Sequence, residues 1–123
     1  MRLSAEEFEI LVQEALELIP DEFRPYLRNV PVLVEDEPSD QLLDAMGVHP
    51  DETLYGLYTG LSLAQRGYDE SGLPPRITVF RRPHLRAAWD LEDLRREVAR
   101  TIIHEVAHHF GIGEERLEEL GWG

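Results

Sequence analysis

Thr101-Ile102-Ile103-His104-Glu105-Val106-Ala107-His108-His109-Phe110-Gly111-Ile112-Gly113-Glu114 is the stretch from which the rest of the chain is read. It contains His-Glu-x-x-His, the pattern with which one helix presents two zinc ligands and a general base. At about 100° per residue, His104 and His108 lie ~40° apart around a helix and one turn along it, so both imidazoles reach one ion. Glu105 sits ~60° from His108. That offset keeps its carboxylate beside the ion without making it a ligand, placed to take a proton from an attacking water and pass it to a leaving amine.

The helix that carries the motif is itself well marked. Asp90 suits the N-cap, Glu92 and Asp93 place acid in the first turn, and Gly111 suits the left-handed position just past an end near Phe110. Leu91, Leu94, Val98, Ile102 and Val106 form its apolar stripe. The two histidines point ~200° away from Ile102, on the side of Glu97 and Thr101, so they form a separate face. A catalytic zinc needs a third protein ligand. Gly111 lets the chain turn so that Glu114, six residues after His108, reaches back to the metal, with Glu115, Glu118 and Glu119 as competing carboxylates. His109, ~100° from His108, is expected to pack or to support the ligands rather than bind the same ion. His49 and His84 fall in expected loops, where an exposed histidine without metal is the ordinary case.

Outward from the motif, Ser4 and Glu7 make a capping box, and Leu3 and Phe8 occupy the positions of a hydrophobic staple. Phe8, Leu11, Val12, Ala15, Leu16 and Ile19 then recur at helical spacing up to Pro20, which predicts a first helix. Val30 to Glu35 reads as a strand and Gln41 to Met46, closed by Gly47, as a short helix. Leu54 to Leu63 alternates glycine and tyrosine with leucine and threonine, and Arg76 to Arg82 is a further strand. Between them Gln65 to Pro75 reads as a long exposed hairpin loop, and Glu114 to Leu120 as a last short helix. These elements predict an α+β architecture, a small sheet backed by helices.

At 123 residues and 42% hydrophobic content, one domain with one core over residues 1–123 is expected. The absence of cysteine excludes disulfides and thiolate metal sites, leaving histidine, carboxylate and water as ligands. No segment reads as a leader, and no run approaches the roughly 18 apolar residues of a membrane span, so we expect a cytoplasmic protein without membrane contact. The net charge of −13, with all 12 cations arginine and none of them clustered, repels phosphate backbones and argues against nucleic acid as a partner.

Three segments together resemble the small bacterial zincin-like metallopeptidase family. They are Leu54-Tyr55-Gly56-Leu57-Tyr58-x-Gly60, Ile77-Thr78-Val79-Phe80-Arg81-Arg82-Pro83, and His104-Glu105-Val106-Ala107-His108-His109-Phe110-Gly111. The likeness covers nearly the whole chain. It implies a minimal zincin fold, a small mixed sheet packed against the first helix and the active-site helix, with Zn2+ held by His104, His108 and Glu114 and Glu105 as general base. The motif also resembles the longer metzincin signature, with an acid in place of the usual third histidine. Metzincins carry a methionine turn downstream of that signature, whereas Met1 and Met46 both lie upstream here.

The function expected from these residues is zinc-dependent hydrolysis of peptide bonds in a peptide or protein substrate. The alternative is a noncatalytic zinc-stabilised interaction domain, in which the metal serves folding. Tyr55, Tyr58, Arg81 and Arg82 are oxyanion donors by polarity only, strand packing and solvation being their ordinary roles. The strand Arg76 to Arg82, as a sheet edge beside the active helix, would pair with an extended peptide.

Overall fold

A computed structural model describes residues 1–60 and 74–123. Helix α1 (Ala5–Glu17) starts at the capping box, with Ser4 Oγ accepting from the Glu7 amide and the Glu7 carboxylate accepting from the Ser4 amide. A short 3₁₀ turn (Asp21–Phe23) and α2 (Arg24–Leu27) lead into strand β1 (Val32–Glu35), followed by α3 (Asp40–Ala45), β2 (Gly56–Thr59) and β3 (Arg76–Phe80). Helix α4 (Arg81–Ala87) follows β3 directly, and α5 (Leu91–Phe110) and α6 (Glu114–Glu119) complete the described elements.

The sheet is mixed, in the order β1-β3-β2. β1 runs parallel to β3 with Val32 opposite Ile77, and β2 runs antiparallel with Gly56 opposite Val79. Helices α1 and α5 pack on each other, and α5 also packs on β2 and β3. The core lies between these layers. Phe8, Leu11, Val12 and Ala15 of α1 meet Leu94, Val98, Ile102, Ile103 and Val106 of α5, over Ile77 and Val79 of the central strand. Phe23, Leu117 and Trp122 close its edges. The structure is thus α+β, with the small mixed sheet set against the first helix and the long motif-bearing helix.

Three expectations change. The strand expected over Arg76 to Arg82 ends at Phe80, because Arg81, Arg82 and Pro83 form the first turn of α4. That turn is where a missing amide costs a helix nothing. The same strand is central, not an edge; β2 is the edge strand that α5 packs against. Leu91, counted in the apolar stripe, is 47% exposed at the first helical position, and the buried stripe begins at Leu94. The loop expected over Gln65 to Pro75 lies, apart from its last residues, outside the described residues. No helix among the described residues is long and apolar enough to cross a membrane.

Candidate metal centre

Helix α5 runs from an N-cap at Asp90, whose carboxylate accepts from the Asp93 amide at 2.8 Å, to Gly111 in the left-handed conformation (φ 73°). The turn at Gly111 sends the chain back toward the helix, and the Ile112 amide donates to the Ala107 carbonyl at 2.8 Å. Glu114, first residue of α6, therefore faces the last two turns of α5. Its Oε1 lies 3.6 Å from His104 Nδ1 and 3.8 Å from His108 Nε2. One ligand atom from each of the three residues falls within 4.8 Å of the others. A tetrahedral zinc with bonds of about 2.0–2.1 Å needs its ligand atoms roughly 3.4 Å apart, so small side-chain shifts suffice to close the triad on an ion. Both histidines and the acid are donors of the type zinc takes, and the group could hold a metal ion. His104 is half-buried, while His108 and Glu114 are exposed, so one side of the triad faces solvent.

The ring of His104 is held from behind. Its Nε2–H donates to the Trp122 carbonyl oxygen at 2.7 Å. Since a carbonyl only accepts, Nε2 carries the proton and Nδ1 presents its lone pair to the triad, the arrangement by which an outer partner sets a ligand's tautomer. Trp122 is itself fastened, because Arg96 donates to the Gly121 carbonyl at 2.9 Å and its guanidinium lies 4.6 Å from the centre of the Trp122 ring.

Glu105 points to the sheet side of the motif. Its Oε1 accepts from the Tyr58 amide of β2 at 2.9 Å. Burial raises its pKa above the usual carboxylate range, while the Tyr58 amide and then His108 and His104 pull less strongly the other way. This contact depends on β2 lying close to α5. A Cβ at Gly56 would meet Thr101 Cγ2 at 2.6 Å and the Thr78 carbonyl oxygen at 3.1 Å, so any larger residue pushes the strand off the helix.

The other sequence candidates separate from the centre. His109 stacks on Tyr58, ring centroids 4.0 Å apart, in the packing role expected for it. His49 is exposed in a loop as expected. His84 is not: it lies in α4, 2% exposed, with Nδ1–H donating to the Phe80 carbonyl and Nε2 accepting from the Thr101 hydroxyl at 2.8 Å. Nothing local announced this, because the helix that carries His84 read as loop. Arg81 pairs with Asp36 and donates to the Leu3 carbonyl, away from the triad. Tyr55 sets its ring edge against His84 at 5.2 Å. Neither the Tyr58 amide nor the Trp122 carbonyl had a sequence signal, since main-chain groups carry none.

Burial pushes the pKa of His84 below its ordinary value of 6.5, with the Phe80 and Glu97 carbonyls opposing less strongly. A histidine depressed in the folded state adds stability that is present above pH 6.5 and is lost as the pH falls through the lower folded value. His84→Gln is therefore expected to flatten the loss of thermal stability below pH 6.5, read as melting temperature against pH beside the parent protein.

The chain matches the zincin-like metallopeptidase family over residues 27–122, and it belongs to that family. Membership implies a metal ion, usually zinc. Among solved structures, a conserved hypothetical protein from Thermo thermophilus is similar at a TM-score of 0.60 and 22% identity, covering 88% of this chain and 94% of that one. At that identity the likeness bears on the fold alone. No curated protein matches the chain.

Proposed function

We propose that the protein is a zinc-dependent metallopeptidase in which His104, His108 and Glu114 hold the ion and Glu105 is the general base. The observation that carries this reading is the convergence of three ligand atoms within 4.8 Å, on one side open to solvent, with the Glu105 carboxylate on the neighbouring position of the same helix. Zinc at this position would polarise the scissile carbonyl and acidify a water. Glu105 would accept the proton of the attacking water and deliver it to the leaving amine. Its partial burial suits the first step, because a carboxylate whose pKa is raised by burial is a stronger base toward the attacking water than an exposed one. The Tyr58 amide would hold the base in place between turnovers.

Tyr55, near the motif on β2's approach, is better placed to meet a substrate than Arg81, which is committed to Asp36. The substrate would be a peptide or an unfolded protein segment, since the solvent-facing triad accepts a chain from outside.

The test is metal content and hydrolysis on protein purified without chelator. One zinc per chain is expected, with none in His104→Ala, and cleavage of an unfolded-protein substrate that stops on chelation and returns with added zinc. Zinc without cleavage of any peptide pool, together with a large fall in melting temperature on chelation, would instead support the noncatalytic zinc-stabilised domain. No zinc in the parent protein would remove both readings.

A further inference from the structure

The twelve arginines are scattered along the sequence, yet the fold brings four of them, Arg2, Arg81, Arg82 and Arg86, to one cavity of about 600 Å³ where the start of α1 meets α4. This cavity shares no lining residue with the candidate metal centre. We propose that it is a docking site for a short acidic segment of a partner protein, two neighbouring aspartate or glutamate residues whose carboxylates Arg2 and Arg82 receive beside a fixed Arg81. The proposal depends neither on a metal ion nor on hydrolysis.

Guanidiniums gathered in one place repel one another, and the chain compensates only two of the four. Arg81 donates through Nε to Asp36 Oδ1 at 3.0 Å, and Arg86 donates to Glu37 Oε1 at 2.6 Å. Glu7, the carboxylate in the cavity wall, is already taken by the Ser4 amide in the capping box. Arg2 and Arg82 are exposed, and their side chains make no hydrogen bond or ion pair among the described residues. Arg82 acts on Asp36 only through its charge, which adds to the Arg81 hydrogen bond in holding that carboxyl below its ordinary range. On a chain of net charge −13, two uncompensated cations in one cavity mark a place that attracts an anion against the field of the rest.

The chemistry of the occupant follows from what the chain itself seats there. Asp36 and Glu37, consecutive residues just past β1, place one carboxylate on Arg81 and the next on Arg86, while the Asp36 carbonyl accepts from the Arg82 amide at 3.0 Å. Two adjacent acids on an extended backbone therefore match the spacing of these guanidiniums, and Arg2 and Arg82 remain for a second such pair. Arg81 is already ordered: besides Asp36 it holds the Leu3 carbonyl at 2.7 Å, and its side chain is 14% exposed, so little freedom is left to lose when an anion arrives. A short segment carries its charge where the four arginines are. A nucleic acid, with a phosphate at every residue, is repelled by the remaining charge of the chain, Glu6 and Glu9 of the adjoining helix included.

The test uses the full chain and blocked tetrapeptides of alanine whose two central residues are aspartate and glutamate, asparagine and glutamine, or two lysines. Binding is read at low ionic strength by calorimetry and by the shifts of the arginine Nε–H resonances. The acidic peptide is expected to bind about tenfold tighter than the amide peptide, a preference that fades as salt screens the pairs. The double variant Arg2→Gln, Arg82→Gln should erase that preference and keep the parent melting temperature, because both side chains are exposed and neither holds another group. Arg81 is left in place, since it ties Asp36 and Leu3 together. Arg28→Gln, in the wall of a different cavity, is the control expected to bind the acidic peptide as the parent does. Equal binding of the acidic and amide peptides, a preference that survives the double variant, or one that Arg28→Gln removes equally would each overturn the site. Tighter binding of inorganic phosphate or of a single-stranded oligonucleotide than of the acidic peptide would overturn the assignment of a protein partner.

Discussion

Glu105→Gln is expected to lower the turnover of an unfolded-protein substrate by roughly 10²- to 10⁴-fold, the range general acid–base catalysis supplies, while zinc per chain stays at the parent value. The amide is nearly isosteric with the carboxylate and keeps an oxygen that can accept from the Tyr58 amide, so the hydrogen bond and the seating of β2 on α5 survive. What is lost is the ability to take a proton. Burial strengthens the contrast: desolvation disfavours the charged carboxylate in the parent, and replacing it by a neutral group relieves that cost instead of creating one. The variant should therefore melt at or above the parent temperature. A drop in activity matched by a drop in zinc content would mean that Glu105 acts as a ligand, and unchanged hydrolysis would rule it out as the base.

Glu114→Ala is expected to weaken zinc binding by about 100-fold or more, beyond the effect of losing an outer partner of a ligand. The measurement is competition against a chromophoric chelator, with Glu115→Ala as the control expected to bind as the parent does. Glu114 Oε1 is the atom that both histidines face, at 3.6 and 3.8 Å, and removing it leaves two imidazoles with ring centroids 6.2 Å apart and no anionic donor between them. Glu119 is occupied by Arg116, which also pairs with Glu22. Because Glu114 is exposed and opens α6 without a capping bond of its own, alanine there should cost the fold little, which separates metal loss from unfolding.

Legibility in the sequence followed the range of the forces involved. Helix α5 was readable from Asp90 to Gly111 because its cap, its apolar spacing and its terminating glycine are all written within a few residues of where they act. The first helix was readable for the same reason, from Ser4 and Glu7. His104, His108 and Glu114 could be grouped because helical phase and one turn bring them together, and that is where the structure places their ligand atoms. Strand order was not readable: Ile77-Thr78-Val79-Phe80 is apolar enough for a central strand, but its neighbours are chosen by packing over long sequence separations. Arg81 and Arg82 read as the end of a strand, yet they open a helix whose Pro83 falls in the first turn and whose Pro83, His84 and Leu85 are buried, a packing that the local sequence does not display. The burial of His84 in α4 rests on a tertiary partner, the Thr101 hydroxyl seventeen residues away, which the local sequence does not show.

The hydrogen bond from His104 to the Trp122 carbonyl joins two parts of the chain that otherwise answer to different pressures. With His104 as a ligand, whatever steadies the segment after α6 also steadies the tautomer that donates to the ion, and the ion steadies that segment in return by the same factor. Metal uptake and the docking of Trp122 under Arg96 then form one linked equilibrium: a sparse supply of the ion loosens the end of the fold, and a partner that grips Trp122 changes how firmly the ion is kept.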